Sequence, residues 1–96
     1  MYQFQIRVLA RKDIQHAVDY YEEHVPYVTN RFLENLYTEF EIIKRNPKQF
    51  QIKYKNTRVR YIKGFPYGIH YALKAQAIEV LAVLHTSRNP KIWKKK

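Results

Sequence analysis

Tyr2, Phe4, Ile6 and Val8 alternate with Gln3, Gln5 and Arg7 at the start of the chain. A period of two with one apolar side predicts a strand over 2–8 that buries one face. The period then lengthens. Ile14, Ala17, Val18 and Tyr21 recur at helical spacing, with Asp13, Gln15, Asp19, Glu22 and Glu23 on the remaining faces. Pro26 disfavours the helical region for Val25, so this helix should end near His24. Thr29 or Asn30 is placed to cap a second helix, whose stripe is Phe32, Leu33, Leu36, Phe40 and Ile43. Asn46-Pro47 stops it. So short a connection predicts an antiparallel helical hairpin over 10–46.

Lys48 to Asn56 reads as a polar, basic connection, partly extended, with Phe50, Ile52 and Tyr54 interleaved. Residues 57–63 alternate again: Val59 and Tyr61 point one way, Arg58, Arg60 and Ile62 the other. Phe65-Pro66-Tyr67-Gly68 is turn chemistry leading into a strand over 69–73. A polar link, 74–76, joins it to a strand over 78–85. That last run is apolar at nearly every position, which predicts a strand in the middle of the sheet, covered above and below. Val80, Leu81, Ala82, Val83 and Leu84 are all expected among the least exposed residues. The order β-α-α-β-β-β predicts an α+β domain, residues 1–96 as one unit, with the helical hairpin packed on one face of an antiparallel sheet.

Charge adds direction to this outline. The net charge is +10, yet the chain up to Glu41 carries −3 and the remainder +13. So lopsided a field either serves solubility alone or implies an anionic partner, and its asymmetry favours the partner: nucleic acid, an acidic protein surface or an acidic peptide. Absence of cysteine excludes disulfides and thiolate metal sites and suits a reducing cytosol. No apolar run approaches the ~20 residues that span a bilayer, and the N-terminus lacks a signal peptide's apolar stretch, so the expectation is a cytoplasmic protein without membrane contact.

The four histidines, His16, His24, His70 and His85, are scattered and show no metal-ligand spacing. Neither GxxxxGK[ST] nor GxGxxG occurs, and no cofactor or metal is expected. Seven of the eight acids precede residue 42, mostly on the predicted outer faces of helices, which leaves no carboxylate pair for acid–base work. What remains is basic and aromatic. Arg58 and Arg60, two apart on a strand, can clamp a phosphate or carboxylate, or simply form a solvated strand face. Lys53-Tyr54-Lys55 offers charge and stacking to RNA or protein. His85 ends the apolar strand, as a packed residue or a proton-transfer group, and Arg88 follows in a loop. Ile92 and Trp93 close the core or meet a partner.

In sequence order, Asp19-Tyr20-Tyr21, Arg60, Phe65 to Tyr71, and Val80 to His85 followed by Arg88-Asn89-Pro90 resemble the RelE/ParE superfamily of bacterial toxins. The resemblance implies the toxin half of a type II toxin–antitoxin module, held in check by an antitoxin with a flexible, often acidic segment. Two activities occur on that fold. RelE-type members are ribosome-dependent mRNA endoribonucleases; ParE-type members inhibit DNA gyrase. By this resemblance Arg58 and Arg60 fall where RelE-type toxins place a catalytic lysine pair, and His85 where some ribonuclease members use a histidine. Gly68 stands where those toxins place an essential arginine, however, and no late tyrosine follows the last strand. The resemblance therefore favours the ParE-type reading. On it Arg58, Arg60, Arg88, Lys53, Lys55 and Trp93 bind target or antitoxin; on the ribonuclease reading His85, Arg60 and Arg58 are catalytic.

Overall fold

A computed structural model describes residues 2–87. Strand β1, Gln3–Ile6, gives way almost at once to helix α1, Val8–His24. The expected strand over 2–8 is thus shorter. The Arg7 N–H still reaches Val80 O as the last rung of the sheet, and Arg7 O already accepts the Arg11 N–H as the first helical bond. Val8 and Leu9 consequently lie on the helix and are 68% exposed. A single-turn 3₁₀ helix, Pro26–Val28, leads into α2, Thr29–Arg45. Neither Thr29 nor Asn30 caps α2: both lie inside it, Val28 occupies the cap position, and no side-chain cap bond forms there. The turn before α2 replaces the cap, with the Val28 N–H bonded to Val25 O.

Four more strands follow: β2, Ile52–Tyr54; β3, Thr57–Tyr61; β4, Tyr67–Lys74; and β5, Ala77–His85. β2 is an addition to the expected set, joined to β3 through Lys55 and Asn56, both at positive φ (38° and 62°). Two consecutive left-handed residues make the tight hairpin turn whose twist suits the flanking strands. The strand order is β1-β5-β4-β3-β2, and one pair, β1 with β5, is parallel.

That order corrects the expected centre of the sheet. β4 occupies the middle, and Tyr67 through Tyr71 are all buried. β5 lies one place off-centre, and β1 accompanies it only as far as Val80. Opposite the pair His70–Ala82 and Tyr71–Val80, one β5 residue, Leu81, has no partner on β4. This bulge reverses which side chains point to which face beyond it. Ile78, Val80 and Val83 reach the core, while Leu81 and Ala82 are only half-buried, against expectation. Beyond the end of β1, α1 takes over as neighbour: the Asp13 carboxylate accepts the Val83 N–H at 3.0 Å. Burial raises the Asp13 pKa despite that bond.

Both helices cover the same face. Ala10, Ala17 and Tyr21 of α1 and Phe32, Leu36, Phe40 and Ile43 of α2 share one cluster with Ile69, Tyr71, Ile78, Val80 and Val83. Tyr21, Phe32, Phe65 and Tyr67 pack mostly edge-on at 5.3–6.3 Å between centroids, the preferred arrangement of aromatic quadrupoles.

Candidate functional site

β3 holds the two arginines singled out above. Register places Arg58 opposite Tyr71 and Arg60 opposite Ile69, both core residues, so the guanidinium groups extend on the helix-covered face. Both are engaged there. Arg58 Nη1 donates to Phe50 O at 2.6 Å and to Lys48 O at 3.3 Å. Arg60 Nε donates to Glu39 Oε1 at 2.6 Å, and its guanidinium lies 4.7 Å from the centroid of the Phe50 ring. The Tyr71 hydroxyl adds a bond to Pro47 O at 2.7 Å, and burial pushes its pKa up to about 12. The connection between α2 and β2 is thereby strapped to the sheet by three side chains from β3 and β4. Arg58 and Arg60 do share a face, as the alternation predicts, but they organise the protein's own backbone and a carboxylate.

Glu39 corrects the expectation that the acids lie on outer faces: it is 3% exposed. The sequence did carry the signal. Glu39 is three residues after Leu36 and four before Ile43, which puts it on the apolar stripe of α2.

The two lysines around Tyr54 part company. Lys53 lines a cleft of about 410 Å³ together with Phe50, Gln51, Arg60 and Lys63. Lys55 lines a separate groove of about 520 Å³ that includes Leu9, Thr57, Ala82 and Leu84. Between them, the Tyr54 hydroxyl meets His70 Nδ1 at 2.5 Å. His70 is fully buried, which lowers its pKa to about 4, so the ring is neutral near pH 7.

His85 stands apart from the arginines. It pairs with Tyr67 across β4, whereas Arg60 pairs with Ile69, whose β5 partner is Val83. His85 is therefore two strands from β3, or about 10 Å across the sheet. Its Nδ1 accepts the Ser87 N–H at 3.1 Å, and its ring meets Tyr67 edge-on at 5.2 Å. Gly68 sits between Tyr61 and Leu84 in the ladder. Arg88 and Trp93 lie outside the described residues. Among the described residues no group of three His, Cys, Asp or Glu side chains is placed to hold a metal, and no helix is long and apolar enough to cross a membrane.

The model of a ParE toxin of type II toxin–antitoxin systems, parDE, matches residues 4–90. The chain belongs to the ParE toxin family. It is 32% identical over 80 residues to Toxin ParE2 of Mycobacterium tuberculosis, from both strain H37Rv and strain CDC 1551, covering 81% of this chain and 75% of the relative. A solved structure described as a chromosomal ParDE TA system from P. aeruginosa superposes with a TM-score of 0.81. It covers 91% of this chain and 98% of the other at 13% identity, which speaks to the fold. Mixed sheet, helical pair and strand order are thus those of a ParE-family toxin.

Proposed function

We propose that this ParE-family toxin arrests growth as a protein inhibitor of DNA gyrase and is neutralised by an antitoxin of the ParD kind. The observation that carries this reading is the engagement of Arg58 and Arg60. Metal-free cleavage of RNA needs cations at the scissile phosphate, a base for the 2′-hydroxyl and an acid for the leaving oxygen, each within hydrogen-bond reach of the same phosphodiester unit. Here Arg60 is paired with Glu39, Arg58 holds Lys48 O and Phe50 O, and His85 lies two strands away. Inhibition by docking needs only a complementary surface. The chain's excess of positive charge and its relatives named as ParE toxins support that version.

The test pairs two assays. Purified toxin added to a gyrase supercoiling reaction should block supercoiling, and the cognate antitoxin should restore it. Primer extension on messages from cells expressing the toxin should show no new ends. Codon-phased cuts with supercoiling untouched would replace this reading by a ribosome-dependent endoribonuclease.

A further inference from the structure

We propose that the sheet face turned away from the helices pairs two copies of this chain, through the groove between the first turn of α1 and the β2–β3 turn. Ile69, Tyr71, Val80 and Val83 point to the helix-covered face. Ala82, opposite His70 in the ladder, points the other way. With Leu81 and Leu84 it lines the groove of about 520 Å³ that has Leu9 and Asp13 of α1 at one end and Lys55 at the other. A second hollow of about 340 Å³ adjoins it, lined by Arg7, Val8, Leu9 and Leu81. Leu9 and Leu81 line both, so an aliphatic ridge separates two hollows. The ridge is prominent: Val8 and Leu9 are each 68% exposed, and the β5 bulge leaves Leu81 outside the core.

Ridge and hollow side by side on one patch are what an isologous twofold interface requires, since the ridge of each copy enters the hollow of the other. Charge selects the same occupant. The charged residues lining the two hollows are Arg7, Asp13 and Lys55, and Arg7 is paired with Glu79 at 3.2 Å. The patch is therefore balanced in sign although the chain carries +10. An acidic segment or a nucleic acid would meet as many negative charges as positive ones there. A second copy meets its complement. A twofold axis lying in the interface and crossing the groove sets the Asp13 end of one copy against the Lys55 end of the other. An axis along the groove would instead oppose Lys55 to Lys55, which like charge disfavours. Asp13 gives one oxygen to the Val83 N–H at 3.0 Å, and a carboxylate offers a second.

The purified full chain is followed by sedimentation equilibrium from low micromolar concentration upward, at low and at moderate salt. A closed dimer should form and should tighten as salt rises, because salt screens the repulsion between two chains of like net charge while the apolar contact persists. Leu9→Glu places a charge on the ridge and should weaken the dimer by about tenfold or more. An acid in the first turn suits the helix dipole, so this variant keeps its fold, which circular dichroism confirms. Tyr27→Glu makes the same change in charge at another large exposed residue, 86% exposed and outside the patch, and should stay within about twofold of the parent. Lys55→Glu lowers the net charge yet should weaken the dimer, by about fivefold, because it sets two acids against each other across the axis. A chain that stays monomeric at every concentration and salt overturns the proposal. So does a dimer that Leu9→Glu leaves intact, that Tyr27→Glu weakens equally or that Lys55→Glu tightens. Growth into larger open assemblies also overturns it, since a closed twofold face stops at two copies.

Discussion

Arg60 performs two tasks with one planar group: its Nε neutralises Glu39 and its face covers Phe50. Removing it leaves a carboxylate that is almost fully buried, which is the costly way to break an ion pair. Arg60→Met should destabilise the protein by about 3 kcal/mol in urea unfolding. Arg60→Met combined with Glu39→Leu should recover most of that loss, because no charge is then stranded. A loss below about 1 kcal/mol in the single variant would mean that Glu39 finds water. His70 makes a second residue-level prediction. Its pKa is lowered from 6.5 to about 4 by burial, so between those values the unfolded chain binds the extra proton and the folded chain does not. Stability should therefore rise with pH across that window and fall on acidification from 6.5 towards 4, by up to roughly 3 kcal/mol. A His70→Gln variant should show a flatter profile over the same range, with the amide able to accept from Tyr54. An equally steep profile in the variant would assign the acid sensitivity to other groups.

The elements differ in how far the sequence announced them. α2 was legible because an apolar stripe at 3.6-residue spacing has one structural solution, and Pro26 and Asn46-Pro47 bracket it. β5 was legible as a strand, but its bulge was not: in a run apolar at nearly every position, skipping one residue changes no pattern. Leu81 and Ala82 were thus expected in the core and found at its margin. The arginine pair shows the same limit at the candidate site. Their shared face follows from spacing of two, whereas their partners lie 8 to 21 residues away and depend on how the α2–β2 connection folds back. The bulge has a measurable consequence. Val83→Ala and Val80→Ala remove side chains from a closed core and should each cost about 2 kcal/mol, whereas Leu81→Ala should cost under about 1.5 kcal/mol despite deleting more carbon. Chemical denaturation of the three variants orders them; a larger loss at Leu81 than at Val80 would contradict the bulge. Asp13→Ala, which deprives the Val83 N–H of its acceptor, should cost about 1 kcal/mol more than Asp13→Asn, which retains a carbonyl oxygen.

Across the whole molecule, charge and chain order coincide. The part up to Glu41, which supplies both helices except the last turn of α2, carries −3; the part from Ile42 onward, which supplies that last turn and β2 to β5, carries +13. A partner guided by such a field approaches the strand-bearing part first, and its association rate falls as salt screens the charges beyond about 10 Å. Toxicity built on a protein surface and toxicity built on proton transfer then respond differently to the loss of one imidazole. His85 is bonded to Ser87 and packed on Tyr67 at the end of β5, remote from Arg58 and Arg60 across two strand spacings. His85→Ala should leave growth arrest within a few-fold of the parent, since trimming one half-exposed ring removes a small part of a docking face. A proton-transfer residue would instead account for about 10²- to 10⁴-fold of the rate, and its loss would abolish toxicity in a chain that still folds. Induced expression of both forms at matched levels, with folding checked by circular dichroism, separates the two. Survival of cells expressing folded His85→Ala would move the functional centre to the end of β5 and make the toxin an enzyme.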